Sequence, residues 1–185
     1  GTPPAQGKRT DLDQATKLLK EGAAVSTVAL ELPSVFVKFH RGLKEFALIC
    51  QKPYDHDDVR GIWYYGKPGS GKSYSARLNT PYYLKPQNKW FDGYSGEPTI
   101  ILDDFDKGGE CLGHHLKIWT DRYSCTGETK GGTVQLRHTQ FIITSNYRMT
   151  EIFSEPEIQA ALARRFKFKN FDLTPEKPPR FNLGE

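Results

Sequence analysis

The glycine-rich segment at residues 66–73 reads Gly-Lys-Pro-Gly-Ser-Gly-Lys-Ser and matches the pattern G-x-x-x-x-G-K-S/T at every fixed position. It follows a short apolar run at residues 62–65 and precedes a stretch compatible with a helix, which is the context that this pattern requires. Its glycines allow the backbone to curl so that successive N–H groups face phosphate oxygens. The segment therefore predicts a strand, a phosphate-binding loop and a helix in an α/β domain that binds a nucleoside triphosphate.

Side chains of this loop have distinct expected roles toward ATP and Mg²⁺. Lys72 is expected to reach the β- and γ-phosphates, and the Ser73 hydroxyl to bind the Mg²⁺ ion that accompanies the triphosphate. The other expected nucleotide contacts are Gly66, Pro68, Gly69, Ser70, Gly71 and Tyr74. The alternative is a glycine-rich turn with an unrelated lysine, and the surrounding pattern disfavours it.

Two consecutive carboxylates, Asp103 and Asp104, follow the apolar run Thr99–Leu102. Burying two carboxylates side by side is costly unless a cation neutralises them, and Mg²⁺ on a triphosphate does so. We expect Asp103 to belong to the Mg²⁺ shell and Asp104 to orient and polarise the attacking water. Alone, this stretch would be explained equally well by an acidic turn after a strand, but the nearby phosphate loop favours the metal site.

A third apolar run, Phe141–Thr144, is followed by Ser145 and Asn146. Asn146 is expected to donate to the γ-phosphate or to hold the lytic water, since its amide is a neutral donor and acceptor. Asparagine in a turn after a strand is common, so this signal gains weight only from its place behind the other two. Short, almost wholly apolar runs are typical of strands covered on both faces, and they predict a central, mostly parallel sheet.

The first part of the chain has a different pattern, with apolar residues at helical spacing between residues 11 and 51. The apolar positions are Leu12, Ala15, Leu18 and Leu19, then Val35, Phe36, Phe39, Leu43, Phe46, Ala47 and Cys50, with a short helix at 26–31 between them. This pattern predicts a small helical bundle. We expect a linker at 1–10, a helical domain at 11–55, a phosphate-loop core at 56–169 and an extended, proline-rich tail at 170–185.

Composition limits the remaining possibilities. The 185 residues include 37% hydrophobic and 26% charged residues and have a net charge of +4, which indicates a folded chain that could bind an anionic partner. The three cysteines are widely spaced and predict neither a disulfide framework nor a zinc site. No apolar run is long enough to span a membrane, so we expect a soluble, intracellular protein without a membrane partner.

Two further basic features lie near the end of the chain. Arg164 and Arg165 stand at a predicted helix end, where they either pair favourably with the helix C-terminus or serve as an arginine finger for a neighbouring subunit. Residues 128–134 predict a tight hairpin in which Gly131-Gly132 takes the positive φ values of a primed turn. Lys130 would stand at its exposed tip, either solvated or in contact with a nucleic-acid backbone.

Together these residues resemble the helicase domain of the replication-initiator (Rep) proteins of circular single-stranded DNA viruses, the circovirus-like group of helicase superfamily 3. The resemblance rests on segments 66–73, 88–94, 102–105, 121–123, 128–133, 143–146 and 164–165. These segments span most of residues 11–169, so the resemblance is more specific than a phosphate loop alone.

The resemblance implies a fold, a motor activity and an assembly. It implies an AAA+-like core and an N-terminal helical segment, residues 11–51, that assembles the protein into a homo-hexamer. It implies an ATP-driven DNA helicase in the host nucleus, moving 3′ to 5′ along single-stranded DNA with Lys130 touching the DNA backbone. It also implies an arginine finger at Arg164, with Arg165 as the second choice.

Complete members of this group carry an endonuclease domain with a His-hydrophobe-His motif and a Tyr-x-x-Lys nucleophile. The chain lacks such a histidine pair, and we expect Tyr82-Tyr83-Leu84-Lys85 to serve strand packing, so nicking activity is expected to be absent from what we take to be a fragment. Two other functions remain as alternatives. One is a small-molecule phosphate-loop kinase, although no arginine-bearing lid is recognised, and the other is a nucleotide-gated DNA-binding scaffold that does not unwind.

Overall fold

The computed structural model describes residues 5–50 and 55–173, which fall into two compact units, Gly1–Pro53 and Tyr54–Glu185. The first unit consists of three helices: α1 at Ala5–Lys20, α2 at Val25–Glu31 and α3 at Pro33–Cys50. Their shared core is formed by Ala15, Leu19, Val28, Val35, Leu43 and Ala47. The predicted helical bundle is thus confirmed.

Two details of this bundle differ from the sequence expectation. Helix α1 begins at Ala5, inside the segment expected to be a linker, because the single glycine at position 7 costs a helix only about 1 kcal/mol. Phe39 was expected on the buried face, but it is 42% exposed and lies at a kink in α3 with φ −122° and ψ 19°. The kink takes its side chain out of the helical register on which the prediction was based.

The second unit alternates strands and helices. Its elements are β1 at Gly61–Tyr65, α4 at Lys72–Arg77, β2 at Tyr82–Leu84, β3 at Thr99–Leu102, a 3₁₀ segment at Lys107–Leu112, α5 at Gly113–Thr120, β4 at Thr126–Thr129, β5 at Gly132–Gln135, β6 at Gln140–Ser145, α6 at Met149–Ile152, α7 at Pro156–Arg165, β7 at Phe166–Asn170 and a 3₁₀ turn at Phe171–Leu173. The three predicted core strands are confirmed, with β1 longer by one residue at its start and β6 longer by one residue at each end.

A five-stranded parallel sheet in the order β2-β3-β6-β1-β7 forms the centre of this unit. Its side chains alternate between two buried faces, as the two-residue period of a strand requires. Ile100 and Ile143 pack into the larger cluster with α5, α6 and α7, whereas Ile101 and Ile142 face Ala76 of α4. Helices therefore cover both faces, which explains why the central strands read as continuous apolar runs.

The order of strands determines where the polar residues meet. Strands β3, β6 and β1 are neighbours, and in a parallel sheet their carboxyl ends lie at one edge. The phosphate loop follows β1, the paired aspartates follow β3 and Asn146 follows β6. Three segments distant in sequence are thus brought to a single edge, and the expected α/β class with a parallel sheet is confirmed.

The described part of the segment after β7 is not extended. Residues Phe171–Leu173 form a 3₁₀ turn in which the ring of Phe171 packs on Tyr64, with 4.8 Å between ring centroids. The rest of the expected tail, residues 174–185, lies outside the described residues. The boundaries that we expect for the domains stay predictions.

Candidate nucleotide-binding site

The phosphate loop wraps around the ammonium group of its own lysine. Gly66, Gly69 and Gly71 have φ values of 149°, 77° and 94°, so glycine meets a real conformational need at these positions. Lys72 is only 5% exposed, and its Nζ donates to the carbonyl oxygens of Gly66 at 2.8 Å and Lys67 at 2.7 Å. Burial lowers the pKa of Lys72 from its ordinary value. A cation is therefore held inside the loop where a triphosphate would enter.

Asp103 is the hub of hydrogen bonds behind the loop. Its Oδ1 accepts from the hydroxyls of Ser73 at 2.7 Å and Thr144 at 2.5 Å, and its Oδ2 pairs with Nη2 of Arg77 at 3.0 Å. Burial raises the pKa of Asp103, but the hydrogen bonds from Thr144, Ser73 and Arg77 outweigh it and hold the pKa below its ordinary value. The carboxylate therefore stays ionised and fixed in direction.

Asp104 has a strained backbone that separates its side chain from that of Asp103. Its φ is 51°, in the left-handed region that non-glycine residues rarely adopt. The buried Thr144 holds this turn, because its Oγ1 accepts from the N–H of Asp104 at 2.9 Å and its carbonyl oxygen accepts from the N–H of Phe105 at 2.8 Å. The two adjacent aspartates therefore lie in different surroundings.

The two aspartates do not form the buried carboxylate pair that the sequence predicts. Asp104 is exposed, and Asp103 is partly buried with a guanidinium already beside it. The two carboxylates do not share one buried environment that only a metal could neutralise. The case for Mg²⁺ depends instead on the type and placement of the oxygen atoms.

A cleft of about 720 Å³ opens over the loop, within the size range of small-molecule sites in proteins. Its lining residues are Pro68, Gly69, Ser70, Gly71, Lys72, Ser73, Tyr74, Asp104, Phe105, Asp106, Asn146 and Tyr147. Asn146 is held at the cleft by its neighbours, since Ser145 Oγ donates to the Phe105 carbonyl at 2.6 Å and accepts from the N–H of Tyr147 at 3.0 Å. The structure therefore brings most of the sequence-predicted nucleotide and catalytic residues together around one cleft.

The donor set suits Mg²⁺. Ser73 Oγ and the Asp103 carboxylate are hard oxygen ligands within 2.7 Å of each other, and Mg²⁺ usually takes one or two protein oxygens together with substrate phosphates and water. Among the residues that the structure describes, no group of three or more histidine, cysteine or acidic side chains forms a separate metal site. The residues present fit a metal that arrives with its nucleotide.

Arg164 and Arg165 lie at the other edge of the sheet. Phe166 pairs with Gly61, the first residue of β1, whereas the phosphate loop follows its last residue. The length of β1 alone separates the two edges by roughly 13 Å. Arg165 is half-buried and bonded to Asp121 through Nε at 3.1 Å and Nη2 at 3.0 Å, while Arg164 is exposed. Neither arginine lines the cleft of its own chain.

The hairpin that carries Lys130 is present, but its turn differs from the prediction. Thr129 pairs with Gly132, so Lys130 and Gly131 are the two turn residues, and only Gly132 has a positive φ. The primed turn expected at Gly131-Gly132 is therefore wrong. Lys130 is exposed, and its side chain lies away from the residues that line the cleft.

Three residues of the site were missed by sequence reasoning. Arg77 lies one helical turn after Ser73, a spacing that could have suggested a shared face. Thr144 lies inside a predicted strand, where nothing in the sequence indicates that its hydroxyl takes part in the site. Asp172 accepts the N–H of Lys67 at 2.9 Å across 105 residues of sequence, a contact that no local pattern indicates.

Among the described residues, no helix is both long enough and apolar enough to cross a bilayer. Cys50, Cys111 and Cys125 are free thiols. Neither property identifies a ligand.

Several known proteins are similar to this chain in sequence. A family model described as RNA helicase matches residues 62–118, which contain the phosphate loop and both aspartates. The chain is 39% identical over 172 residues to the replication-associated protein of Porcine circovirus 2, covering 89% of this chain and 54% of that protein. It is 38% identical over 178 residues to the Porcine circovirus 1 protein, covering 92% and 56%. For Human associated cyclovirus 1 the identity is 33% over 183 residues, covering 91% and 64%.

The chain spans between 54% and 64% of the length of these three relatives. The match nevertheless extends over about nine-tenths of this chain and includes the motifs around the cleft. The chain is thus similar, over about nine-tenths of its length, to the replication-associated proteins of circoviruses, and residues 62–118 match the RNA helicase family.

Proposed function

We propose that this chain is an ATP-dependent DNA helicase module that serves viral DNA replication by hydrolysing ATP in the cleft above the phosphate loop. The observation that carries the proposal is the meeting of Lys72, Asp104 and Asn146 around that cleft, with Asp103 bonded to Ser73 behind it. This arrangement offers a cation that could bind phosphate, a carboxylate that could polarise water and an amide that could hold either of them. The similarity to circovirus replication-associated proteins supports the same function.

The residues on one chain account for binding and for orientation of the water. The Lys72 ammonium and the curled backbone are placed to receive the β- and γ-phosphates. Ser73 and Asp103 would hold Mg²⁺, which supplies charge neutralisation at the transferred phosphoryl group when it is bound. Asp104 would orient and polarise the attacking water, and Asn146 would hold that water or the γ-phosphate.

Completion of the site requires a second copy of the chain. Arg164 is exposed and lies at the sheet edge opposite the cleft, so it could reach only the cleft of a neighbouring subunit. Arg165 is the weaker candidate because its guanidinium is already bonded to Asp121. We therefore assign the arginine finger to Arg164. We further propose that the helical unit assembles the protein into a homo-hexameric ring and that this ring acts in the host nucleus.

Single-stranded DNA is the proposed track, contacted by Lys130 at the hairpin tip. An exposed lysine on a narrow turn can reach a phosphate backbone without reading bases, as a translocating motor requires. The direction of movement that we propose is 3′ to 5′. Loss of this single phosphate contact should reduce the slope of log binding constant against log salt concentration by about 0.7.

The first experiment tests hydrolysis with Lys72→Ala and a matched control, Lys117→Ala, which removes a lysine of α5 that does not line the cleft. We expect Lys72→Ala to reduce ATP turnover at least a hundredfold, about 3 kcal/mol of lost phosphate stabilisation, and Lys117→Ala to keep it. Full turnover by Lys72→Ala would refute the assignment of the cleft.

The second experiment tests the shared site by mixing two inactive variants. Arg164→Ala should bind nucleotide but not hydrolyse it, and Asp104→Asn should lose hydrolysis for a different reason. Mixed rings contain some interfaces with both native residues, so part of the activity should return. If no activity returns at any mixing ratio, Arg164 does not act across an interface. A duplex-unwinding assay then separates a motor from a scaffold that only binds DNA.

A further inference from the structure

A buried lysine lies outside the nucleotide site. Lys85 follows β2, is 4% exposed and donates through Nζ to the carbonyl oxygens of Asn88 at 2.6 Å and Trp90 at 2.7 Å. The same ammonium lies 4.3 Å from the ring centroid of Phe91 and 4.9 Å from that of Trp119. Lysine is rarely buried to this degree, so its position needs a reason.

The hydrogen-bond partners of the Lys85 ammonium belong to one loop, residues 86–94, which we call the clamp loop. Two of its carbonyl oxygens point inward at the ammonium, and burial would leave them without a donor if Lys85 were apolar. The ring of Phe91, also in this loop, is fully buried beneath the same ammonium. Lys85 therefore fixes both the backbone and the main apolar anchor of the clamp loop.

The clamp loop in turn holds the hairpin. The N–H of Phe91 donates to the Glu128 carbonyl oxygen at 2.9 Å, and Trp90 forms a β-bridge to Glu128. The N–H of Lys130 donates to Oδ1 of Asp92 at 3.3 Å. These contacts tie the hairpin to the clamp loop at its first strand and at its turn.

The packing between the loop and the hairpin is close. A Cβ atom added at Gly127 of β4 would lie 2.5 Å from Cδ2 of Phe91, which is closer than real side chains approach. A small rotation of Phe91 would thus displace β4. Because Lys85 sits on that ring, the ammonium, the ring and the hairpin form a continuous path of contacts.

We propose that Lys85 is a positioning residue that sets the place of the hairpin tip, and with it the reach of Lys130 toward single-stranded DNA. The identity of the ligand rests on the proposed function, but the control of the hairpin by Lys85 does not. Burial lowers the pKa of Lys85 to about 7, so the fold keeps the ammonium in place at a cost that the carbonyl oxygens and ring faces offset only in part.

The lysine of the Tyr-x-x-Lys pattern at residues 82–85 is accounted for by this role, whereas its tyrosine, Tyr82, packs against the cluster of Ala76, Ile101 and Ile142. Tyr83 donates through its hydroxyl to the Asp92 carbonyl oxygen at 2.7 Å, and its ring contacts Phe91. Tyr83 and Lys85 therefore both hold the clamp loop, a structural task beyond the expected strand packing.

Hydrogen exchange tests the control of the hairpin without DNA. In Lys85→Met, which keeps most of the buried volume, amides in Thr126–Gln135 should exchange about tenfold faster, while those of Gly61–Tyr65 and Gln140–Ser145 keep their rates. Unchanged hairpin amides would overturn the proposal. Uniform acceleration throughout the unit would also overturn it, since Lys85 would then stabilise the fold without selecting the hairpin.

DNA binding tests the consequence through a double-mutant cycle. Lys85→Met and Lys130→Met should each weaken binding of a fluorescent oligo(dT) by about tenfold, and the double variant should bind no more weakly than Lys130→Met. The control Lys117→Met removes one charge elsewhere in the unit and should stay within about twofold. If the two losses of affinity multiply in the double variant, Lys85 does not act through Lys130.

A milder variant covers the case in which Lys85→Met does not fold. Tyr83→Phe keeps the ring and the net charge but removes the hydroxyl bond to the clamp loop. It should weaken oligo(dT) binding about threefold and speed exchange of the hairpin amides, and wild-type values for both would overturn the proposal. If the native chain does not bind oligo(dT), the proposed function fails, whereas the exchange result still decides the role of Lys85.

Discussion

Replacing Thr144 by valine should damage the candidate site while preserving its shape. Thr144 is fully buried, donates to the Asp103 carboxylate at 2.5 Å and accepts from the Asp104 N–H at 2.9 Å. The bond to an ionised carboxylate contributes about 2 kcal/mol and the backbone bond about 1 kcal/mol. The new methyl group returns about 0.8 kcal/mol of burial. The free energy of unfolding should therefore fall by about 2 kcal/mol.

Thr120 provides a matched control for this substitution. It is also fully buried, but its hydroxyl donates to the Leu116 carbonyl oxygen at 2.6 Å within one helix and supports no charged group. One neutral bond offset by one methyl group predicts a loss below about 0.5 kcal/mol for Thr120→Val. Equilibrium urea denaturation measures both values directly.

Activity and acid stability provide independent readouts for Thr144→Val. Loss of the hydroxyl removes the acceptor that holds the Asp104 turn, and it removes one hydrogen bond that lowers the pKa of Asp103. ATP turnover should therefore fall more than nucleotide affinity. A depressed carboxylate pKa stabilises the fold above its unfolded-state value and ceases to do so as pH falls through the folded-state value. The variant should therefore lose less stability on acidification than the native chain. Equal unfolding free energies for Thr144→Val and Thr120→Val would refute the reasoning.

Three further predictions concern packing, the distal arginines and pH. Gly127→Ala should cost about 2 kcal/mol in urea denaturation because its Cβ would lie 2.5 Å from an aromatic carbon, whereas Gly131→Ala, with nothing within 4 Å, should be nearly neutral. Arg165→Ala should lower the unfolding free energy by about 1.5 kcal/mol through loss of its ion pair, and Arg164→Ala should change it by less than about 0.5 kcal/mol; equal losses would contradict their different surroundings. Because the folded-state pKa of Lys85 is about 7, above pH 7 its side chain binds fewer protons in the folded state than in the unfolded state. The free energy of unfolding should therefore rise between pH 7.5 and 9. Lys85→Met should lack up to about 1.4 kcal/mol per pH unit of that slope, and an unchanged slope would exclude Lys85 as its source.

Sequence reasoning succeeded where the signal was local. The phosphate loop, the strands before it and before Asp103, and the strand before Asn146 each carry an apolar run and a characteristic polar end within a few residues. The parallel sheet then places those ends at one edge, so predicting the elements was nearly sufficient to predict the cleft.

Other features depend on contacts that only the tertiary fold creates. Thr144 joins Asp103 to Asp104 because β3 and β6 are neighbours, and the order of strands is not written in any short segment. From the sequence alone Lys85 would be placed on the surface, but in the fold its side chain is buried against the clamp loop. The hairpin turn was misplaced by one residue because two adjacent glycines satisfy either register, and strand pairing decides between them.

The bond between Lys67 and Asp172 determines which fragments of this protein can retain a native nucleotide loop. The first N–H after Gly66 is bonded at 2.9 Å to a carboxylate in the turn that follows β7. A shortened chain that stops at residue 169 would keep every strand of the catalytic edge and every residue of the glycine-rich motif, yet lose this acceptor. We expect such a fragment to bind ATP about threefold more weakly than one ending at residue 173, because a single unmade bond at the loop costs roughly 0.7 kcal/mol. Equal affinities would show that the loop holds its form without Asp172.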